Sequence, residues 1–465
     1  MSSIDHDFTP FAMRMRREGL SNHIIETFKF YYTQLVEGRT GLIPECGIDP
    51  VEHLPNAEKF PKKLARVGEQ ALPKTITLKL NGGLGTSMGM ARAKSLLTVK
   101  GGLSFLDIIA RQIQLSDMRL VLMNSFSTRS ESLTALKDYP ELWDGIPLDF
   151  VQQKVPKINQ SDLSPADWPD NRNLAWCPPG HGDVYTSLVT SGMLDTLLVE
   201  GYEYAFVSNS DNLGAVMDTT ILGFFVENRL SFLMEVTDRT PAHRKGGHLA
   251  RLPSGKLILR EVAQCPPDDI DFFQDINRHK YFNTNNLWLH LPTLKEVMHS
   301  KGNILGLPMI RNSKTVDPRN PASPKVYQLE TAMGSAVGVF DDATAIRVPQ
   351  SRFVQVKRTE DLLVVRSDIY VLNKDYQVVP NPSRELDSIL VSFDDPRYQL
   401  IDDMEARFPS GVPSLIDCER LRIVGDFKFG ANVTLRGEVE LINLSGEQAE
   451  IKDGTTIEGS RTWSG

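Results

Sequence analysis

From Thr75 to about Asn373 the chain alternates between two hydrophobic periods. Short apolar runs that suit strands fall at Thr75–Leu80, Leu120–Met123, Phe150–Val151, Tyr204–Val207, Ser231–Val236, Leu257–Leu259 and Asn285–Leu289. Between them, apolar residues three and four apart predict helices at Leu103–Leu115, Ser130–Lys137, Thr186–Ser191 and Thr219–Asn228. Such alternation predicts an open α/β sheet, mixed but mostly parallel, with helices on both faces. The start of the chain reads differently. Phe11–Arg17 and His23–Gly38 have helical spacing, broken by Ile43-Pro44-Glu45 and Leu54-Pro55-Asn56. At the other end, Leu421–Asp426, Phe427–Asn432 and Val433–Glu438 repeat roughly every six residues, with Gly or Asn between short alternating runs. That repeat predicts a small β-helix, each turn stacked on the last. The expected units are a helical segment over 1–70, an α/β domain over 71–380 and a β-helix domain over 381–465.

Composition narrows the classes. A chain of 465 residues is too long for one ordinary core. With 41% hydrophobic and 24% charged residues it reads as a globular protein that dissolves in water. A net charge of −8 argues against nucleic acid as a main partner. No apolar run approaches the ~20 residues of a membrane span, so no membrane partner is expected. Met1-Ser2-Ser3-Ile4-Asp5-His6-Asp7 lacks the basic and apolar parts of a secretory signal. Cys46, Cys177, Cys265 and Cys418 are far apart and show no metal spacing. They read as reduced thiols of a cytoplasmic protein.

The chemistry concentrates in Leu80-Asn81-Gly82-Gly83-Leu84-Gly85-Thr86-Ser87-Met88-Gly89, directly after the first strand. Glycine at this density is tolerated where backbone turns sharply or approaches a ligand. Unhindered N–H groups can then face phosphate oxygens, and Lys94 can add a point charge. The spacing is not that of a P-loop. Nor is it a dinucleotide fingerprint: Gly83-Leu84-Gly85 is followed by Gly89, one residue late. The next strand ends in Asn124-Ser125, with no carboxylate for a ribose. Asp211 follows the run Tyr204–Val207, so it and the Gly82 loop both sit past strand carboxyl ends, where open α/β sheets bind ligands.

This loop resembles the nucleotide-binding loop of the UDP-glucose pyrophosphorylases (UTP–glucose-1-phosphate uridylyltransferases). Pro178-Pro179-Gly180-His181-Gly182-Asp183 resembles that family's P-P-G-H-G-D stretch, and Phe206-Val207-Ser208-Asn209-Ser210-Asp211-Asn212-Leu213-Gly214 its F-V-S-N-x-D-N-L-G strand. Met234–Thr237, Lys245–Gly247, Phe282–Trp288 and Gln328–Ala332 follow in family order. The resemblance implies a Rossmann-like, GT-A-like nucleotidyltransferase domain and a left-handed C-terminal β-helix. It implies reversible transfer of UMP from UTP to glucose-1-phosphate, assisted by Mg²⁺, without a covalent intermediate.

Roles follow by position. Lys94 and Lys357 match the family's phosphate-contacting lysines. Leu80, Asn81, Gly82, Gly83 and Gly182 match nucleotide-binding positions. Gln152, or its neighbour Gln153, matches the uracil-reading glutamine. His181 matches the sugar-phosphate contact, Asp211 the Mg²⁺ ligand, and Asn209, Glu235, Gly247 and Asn285 the partners of sugar hydroxyls. The β-helix end offers strand edges through which copies of the chain can pair. One departure stands out: Met90-Ala91-Arg92-Ala93 replaces the Cys-Lys-Gly-Pro of eukaryotic members, with Arg92 in place of the missing charge. The sequence leaves open a broader UDP-sugar or UDP-galactose pyrophosphorylase, and a catalytically silent nucleotide-sugar sensor.

Overall fold

The computed structural model describes residues 7–116, 118–386 and 389–464. Met1 to His6, where no secretory signal is read, lie outside the described residues. Among the described residues no helix is long and apolar enough to cross a membrane.

A ten-stranded mixed sheet forms the centre. Its heart is four parallel strands in the order Asp149–Val151, Arg119–Asn124, Thr75–Asn81, Tyr204–Asn209. Thr75–Asn81 is buried at every position, as expected of a strand covered on both faces. Tyr281–His290 runs antiparallel to Tyr204–Asn209 on one side and to Phe232–Asp238 on the other. Ala343–Arg347 then pairs parallel with Phe232–Asp238. That strand and His248–Arg251 were not expected, because both are short and carry polar or charged residues.

The register sets the site. Leu80 lies opposite both Asn209 and Met123, and Asn124 lies opposite both Asn81 and Val151. Four strand ends are therefore level, and Gly82, Ser125, Gln152 and Ser210 leave from one edge. No α-helix follows the Gly-rich loop. Two single 3₁₀ turns, Thr86–Met88 and Lys94–Leu96, take its place. The loop folds back as a hairpin, with the Lys94 N–H donating to the Gly83 carbonyl at 3.1 Å.

The N-terminal helices Thr9–Arg17 and Asn22–Val36 bury Phe11, Met15, Phe28 and Tyr32 against Val155, Trp176 and Leu329 of the α/β unit. At the C-terminus, Leu390–Phe393, Cys418–Val424, Thr434–Asn443 and Thr456–Trp463 make a four-stranded parallel sheet. A second parallel pair joins Phe427–Phe429 to Ala449–Ile451. The apolar residues of these strands, among them Leu421, Leu435, Val439 and Ile457, form one cluster with Val354, Val356, Met88 and Met90. Gly89 has φ 78°, and a β-carbon there would stand 3.0 Å from Leu400 Cδ2. The Gly-rich loop is thus packed into the C-terminal core.

Candidate functional site

Gly82 and Gln152 meet at the level strand ends. A β-carbon on Gly82 would stand 2.9 Å from Gln152 Oε1, so a side chain there would push the Gln152 amide aside. The Gln152 amide donates to the Gly180 carbonyl at 2.9 Å. Gln153 turns away and donates to Thr190 Oγ1 at 3.2 Å, so Gln152 is the glutamine at this edge. Gly83 faces open space, with nothing within 4 Å of a β-carbon.

Three of the expected nucleotide positions also carry contacts within the fold. The Asn81 amide is spent on Asn124 Oδ1 at 2.7 Å and Ser132 Oγ at 2.8 Å. Leu80 is buried, and its carbonyl accepts from Ser210 N–H at 3.0 Å. Gly182 donates its N–H to the Thr331 carbonyl at 2.8 Å, and a β-carbon there would lie 2.4 Å from Thr331 Oγ1. Its small size serves packing against the Lys325–Thr331 strand. The Arg92 guanidinium donates to the Leu96 carbonyl at 3.3 Å.

The charged groups gather at the rim. Lys94 Nζ lies 2.5 Å from Asp211 Oδ2, both side chains about 15% exposed. The Gln355 amide donates to the other Asp211 oxygen at 3.0 Å. The segment around Gln355 is fastened to the Asp211 turn by Leu213 N–H to the Val354 carbonyl and Val356 N–H to the Asp211 carbonyl, at 3.0 and 3.3 Å. Lys357 follows at once and is exposed. Its N–H and that of Arg358 both donate to Asp361, at 2.8 and 2.9 Å, which fixes the backbone and leaves the ammonium to project. Ser87 of the Gly-rich loop donates to the Lys357 carbonyl at 3.4 Å. Sequence positions 94, 211 and 357 are therefore brought to one rim.

His181 is held as a neutral ring. Met333 N–H donates to its Nδ1 at 3.1 Å, which puts the proton on Nε2. Burial draws its pKa down to about 4. The ring can give one hydrogen bond from Nε2 and carries no charge at neutral pH.

The remaining polar groups line the strand ends on the Tyr281–His290 side. Asn209 is half-buried at the end of its strand. Asn285 sits in a bulge, where the register skips between Glu235 and Val236, and adopts φ 58°. Asparagine tolerates that left-handed conformation, which pushes residue 285 out of the pleat. Glu235 does not face this space. It is fully buried; Oε1 accepts from Trp288 and Arg352 at 2.9 and 2.7 Å, and Oε2 from Asn286 and Arg352 at 3.0 and 2.7 Å. A carboxylate has about four acceptor positions, and all are taken. Glu235 thus anchors Arg352, and through it the segment that carries Gln355 and Lys357.

A model of the family described as UTP–glucose-1-phosphate uridylyltransferase matches residues 25–436. The chain belongs to that family. The UTP–glucose-1-phosphate uridylyltransferase of Solanum tuberosum is 42% identical over 396 residues, 84% of this chain and 81% of the relative. The probable enzyme of Schizosaccharomyces pombe is 40% identical over 394 residues, 83% and 76% of the two chains. Among solved structures, a mutant UDP-glucose pyrophosphorylase from Leishmania major in complex with UDP-glucose superposes with a TM-score of 0.92 at 41% identity, covering 100% of both chains. Open and closed structures of the Leishmania major enzyme match with a TM-score of 0.91 at 42% identity, over 98% of this chain and 99% of that one.

Two residues of this uridylyltransferase-family site carry no sequence motif. Glu261 follows the strand Leu257–Arg260, and its carboxylate fills the space where a Gly247 side chain would be. Burial raises its pKa, opposed by the charge of Lys357. Gln355 is the other, found only through its bond to Asp211. The donor set also bears on metal. Among the described residues no group of three His, Cys, Asp or Glu could hold an ion. Asp211 alone, at a strand end and open to the rim, fits a Mg²⁺ bound mainly through substrate phosphates.

Proposed function

We propose that this chain transfers UMP from UTP to glucose-1-phosphate, giving UDP-glucose and pyrophosphate, reversibly. The observation that carries the reading is the Lys94–Asp211 pair on the rim above the level strand ends, with the Lys357 backbone fastened beside it. Family membership supplies the substrates. The attacking group is a phosphate, largely dianionic near neutral pH because its second pKa is about 6. It needs no general base. The barrier lies in bringing two anions into line and neutralising the departing pyrophosphate.

In this reading the Gly82–Gly83 turn admits the nucleotide and Gln152 bonds the uracil edge. Lys94 and Lys357 meet the phosphates from two sides of the cleft. Neutral His181 donates Nε2–H to the sugar phosphate without adding a charge. Asn209, Asn285, the Gly247 backbone and Glu261 receive the sugar hydroxyls. Asp211 with phosphate oxygens would hold Mg²⁺, which supplies charge neutralisation to the triphosphate. We read the two C-terminal parallel sheets as faces of a left-handed β-helix whose outer edge pairs with another copy of the chain. Action in the cytoplasm is part of the same proposal.

The test is pyrophosphate release from UTP across a panel of sugar-1-phosphates, with and without Mg²⁺. Glucose-1-phosphate should give the highest kcat/KM. A higher value for galactose-1-phosphate would assign a different sugar, and UTP binding without turnover would assign a sensor.

A further inference from the structure

Gln355 touches the carboxylate on which the proposed metal site depends, from the segment that presents Lys357. Its amide donates to Asp211 Oδ1 at 3.0 Å, while Lys94 holds Oδ2 at 2.5 Å. The two contacts differ in kind. Lys94 is a cation, and any divalent ion brought to Asp211 meets its ammonium at once. The amide is neutral and opposes no cation. When phosphates draw Lys94 away, Gln355 is the contact that can stay.

The backbone beneath it is rigid enough for that task. Asn212 Oδ1 accepts from Val354 N–H at 2.9 Å, and the Asn212 amide donates to the Arg352 carbonyl at 3.1 Å. Arg352 is itself clamped by both Glu235 oxygens at 2.7 Å. Asn212 is 3% exposed and Glu235 0%, so this chain of contacts is shielded from water.

We propose that Gln355 is a positioning residue for Asp211: it holds the carboxylate still while Lys94 passes to the phosphates. The inference rests on the assignment of Mg²⁺ to Asp211 made above. Its consequence is an order of events. Asp211 would hold the ion once phosphates have drawn Lys94 from its carboxylate.

The experiment uses the full chain and Mn²⁺ as a spectroscopically visible probe. Gln355→Leu removes the donor and keeps the bulk. It should raise the Mn²⁺ concentration for half-maximal activity about tenfold, the scale of one hydrogen bond to a charged group. Its affinity for UDP-glucose, titrated in EDTA, should stay within about twofold of wild type. Gln355→Glu puts a second carboxylate beside Asp211 and should let the nucleotide-free enzyme bind Mn²⁺ at least tenfold more tightly, since ligand charge sets cation affinity. Wild-type nucleotide-free enzyme should bind Mn²⁺ only weakly by the same measurement.

An unchanged Mn²⁺ requirement in Gln355→Leu overturns the proposal. So does a parallel loss of UDP-glucose affinity, which would make Gln355 a structural support of the whole cleft. Asp211→Asn separates the two levels. If it too leaves the Mn²⁺ requirement unchanged, the metal is not on Asp211 and the functional reading fails with it. If only Asp211→Asn raises the requirement, the role of Gln355 alone is lost.

Discussion

A β-carbon on Gly247 would stand 2.5 Å from Glu261 Oε1 and 2.7 Å from Oε2. The carboxylate occupies the place of a side chain that is absent. It arrives from another strand, since His248 of one pairs with Arg260 of the other. Gly247→Ala should therefore push Glu261 aside without unfolding the sheet, because the clash falls on the far end of a flexible side chain. Glu261→Ala removes the same group directly. Losing a partner of a buried hydroxyl costs roughly 1–3 kcal/mol, so each variant should lower kcat/KM for glucose-1-phosphate about 10- to 100-fold. The KM for UTP should move less than about twofold. Initial rates with each substrate varied in turn decide it, and an equal rise in both KM values removes Glu261 from sugar recognition.

The two rim lysines make a different demand. Their contacts should strengthen as charge develops on the departing pyrophosphate, so their loss should fall on kcat. Lys94→Ala and Lys357→Ala should each cost on the order of 10²–10³ in rate. Circular dichroism and melting should stay close to wild type, since Lys357 is exposed and Lys94 bonds only at the rim. Near-normal kcat in either variant would take that lysine out of the mechanism.

Glu45 ties the N-terminal segment to the sheet through buried charge. Its carboxylate, 8% exposed, lies 2.6 Å from Arg260 and Arg278 and 3.0 Å from His279. Arg260 is fully buried and, if Glu45 is cut back, keeps the Asp269 carboxylate at 3.3 Å and the neutral Cys265 Sγ at 3.5 Å. Removing one partner of a buried ion pair costs about 3–5 kcal/mol. Glu45→Ala should lower the urea midpoint accordingly, with an unchanged slope. A shift worth under ~1 kcal/mol would show that solvent reaches and screens the cluster.

Much of this was legible before the fold was known. The parallel strands were, because Thr75–Asn81 places Ile76, Leu78 and Leu80 at every second position and Tyr204–Asn209 reads as a nearly continuous apolar run. Lys79 did not spoil the first of these, although burial draws its pKa down to about 7: its ammonium donates to Ser208 Oγ and the Ala215 carbonyl. Ala343–Arg347 was not legible, since it is five residues long and mixes Thr344 and Arg347 with its apolar positions. Motif matching placed Lys94, Asp211 and Lys357 near one another but could not say which way a side chain points. Glu235 and Asn81 show this. Both lie in motifs that reach the site, and both spend their polar atoms inside the sheet. Glu261 was missed although it obeys the rule that marked Asp211, a carboxylate just past the last residue of a strand.

His181 gives a pH test with a definite sign. Its folded pKa of about 4 lies below the ordinary 6.5 because burial disfavours the imidazolium. Between those values the unfolded chain binds the proton and the folded chain does not. Stability from this site is then complete above about pH 6.5 and is lost as pH falls toward 4. His181 is thus already neutral where the sugar phosphate, with a second pKa near 6, takes up its proton. His181→Gln should lower kcat yet leave the acid limb of the pH profile near pH 6. Disappearance of that limb would mean that His181 itself titrates in the reaction.

The C-terminal strands should matter through packing, not chemistry. Met88 is fully buried and shares an apolar cluster with Leu421, Phe429 and Leu435, so the Gly-rich loop rests on the C-terminal core. Lys428, Thr434 and Arg436 lie on the outside of the same strands, and Arg436 makes only a surface pair with Asp417 at 3.5 Å. Surface changes away from a site usually cost under ~0.5 kcal/mol, so Ala at each of these three should leave kcat/KM within about threefold. Met88→Ala empties a core position and should cost about 2–5 kcal/mol in stability. It should also loosen the loop that carries Lys94, lowering kcat in protein that remains folded at the assay temperature. Both effects are measurable in one preparation, by urea unfolding and by steady-state rates at saturating UTP. A hundredfold drop from Lys428→Ala, Thr434→Ala or Arg436→Ala in folded protein would place the C-terminal strands in the active site. Full activity in Met88→Ala, despite the lost stability, would mean that the loop holds Lys94 without help from the C-terminal core.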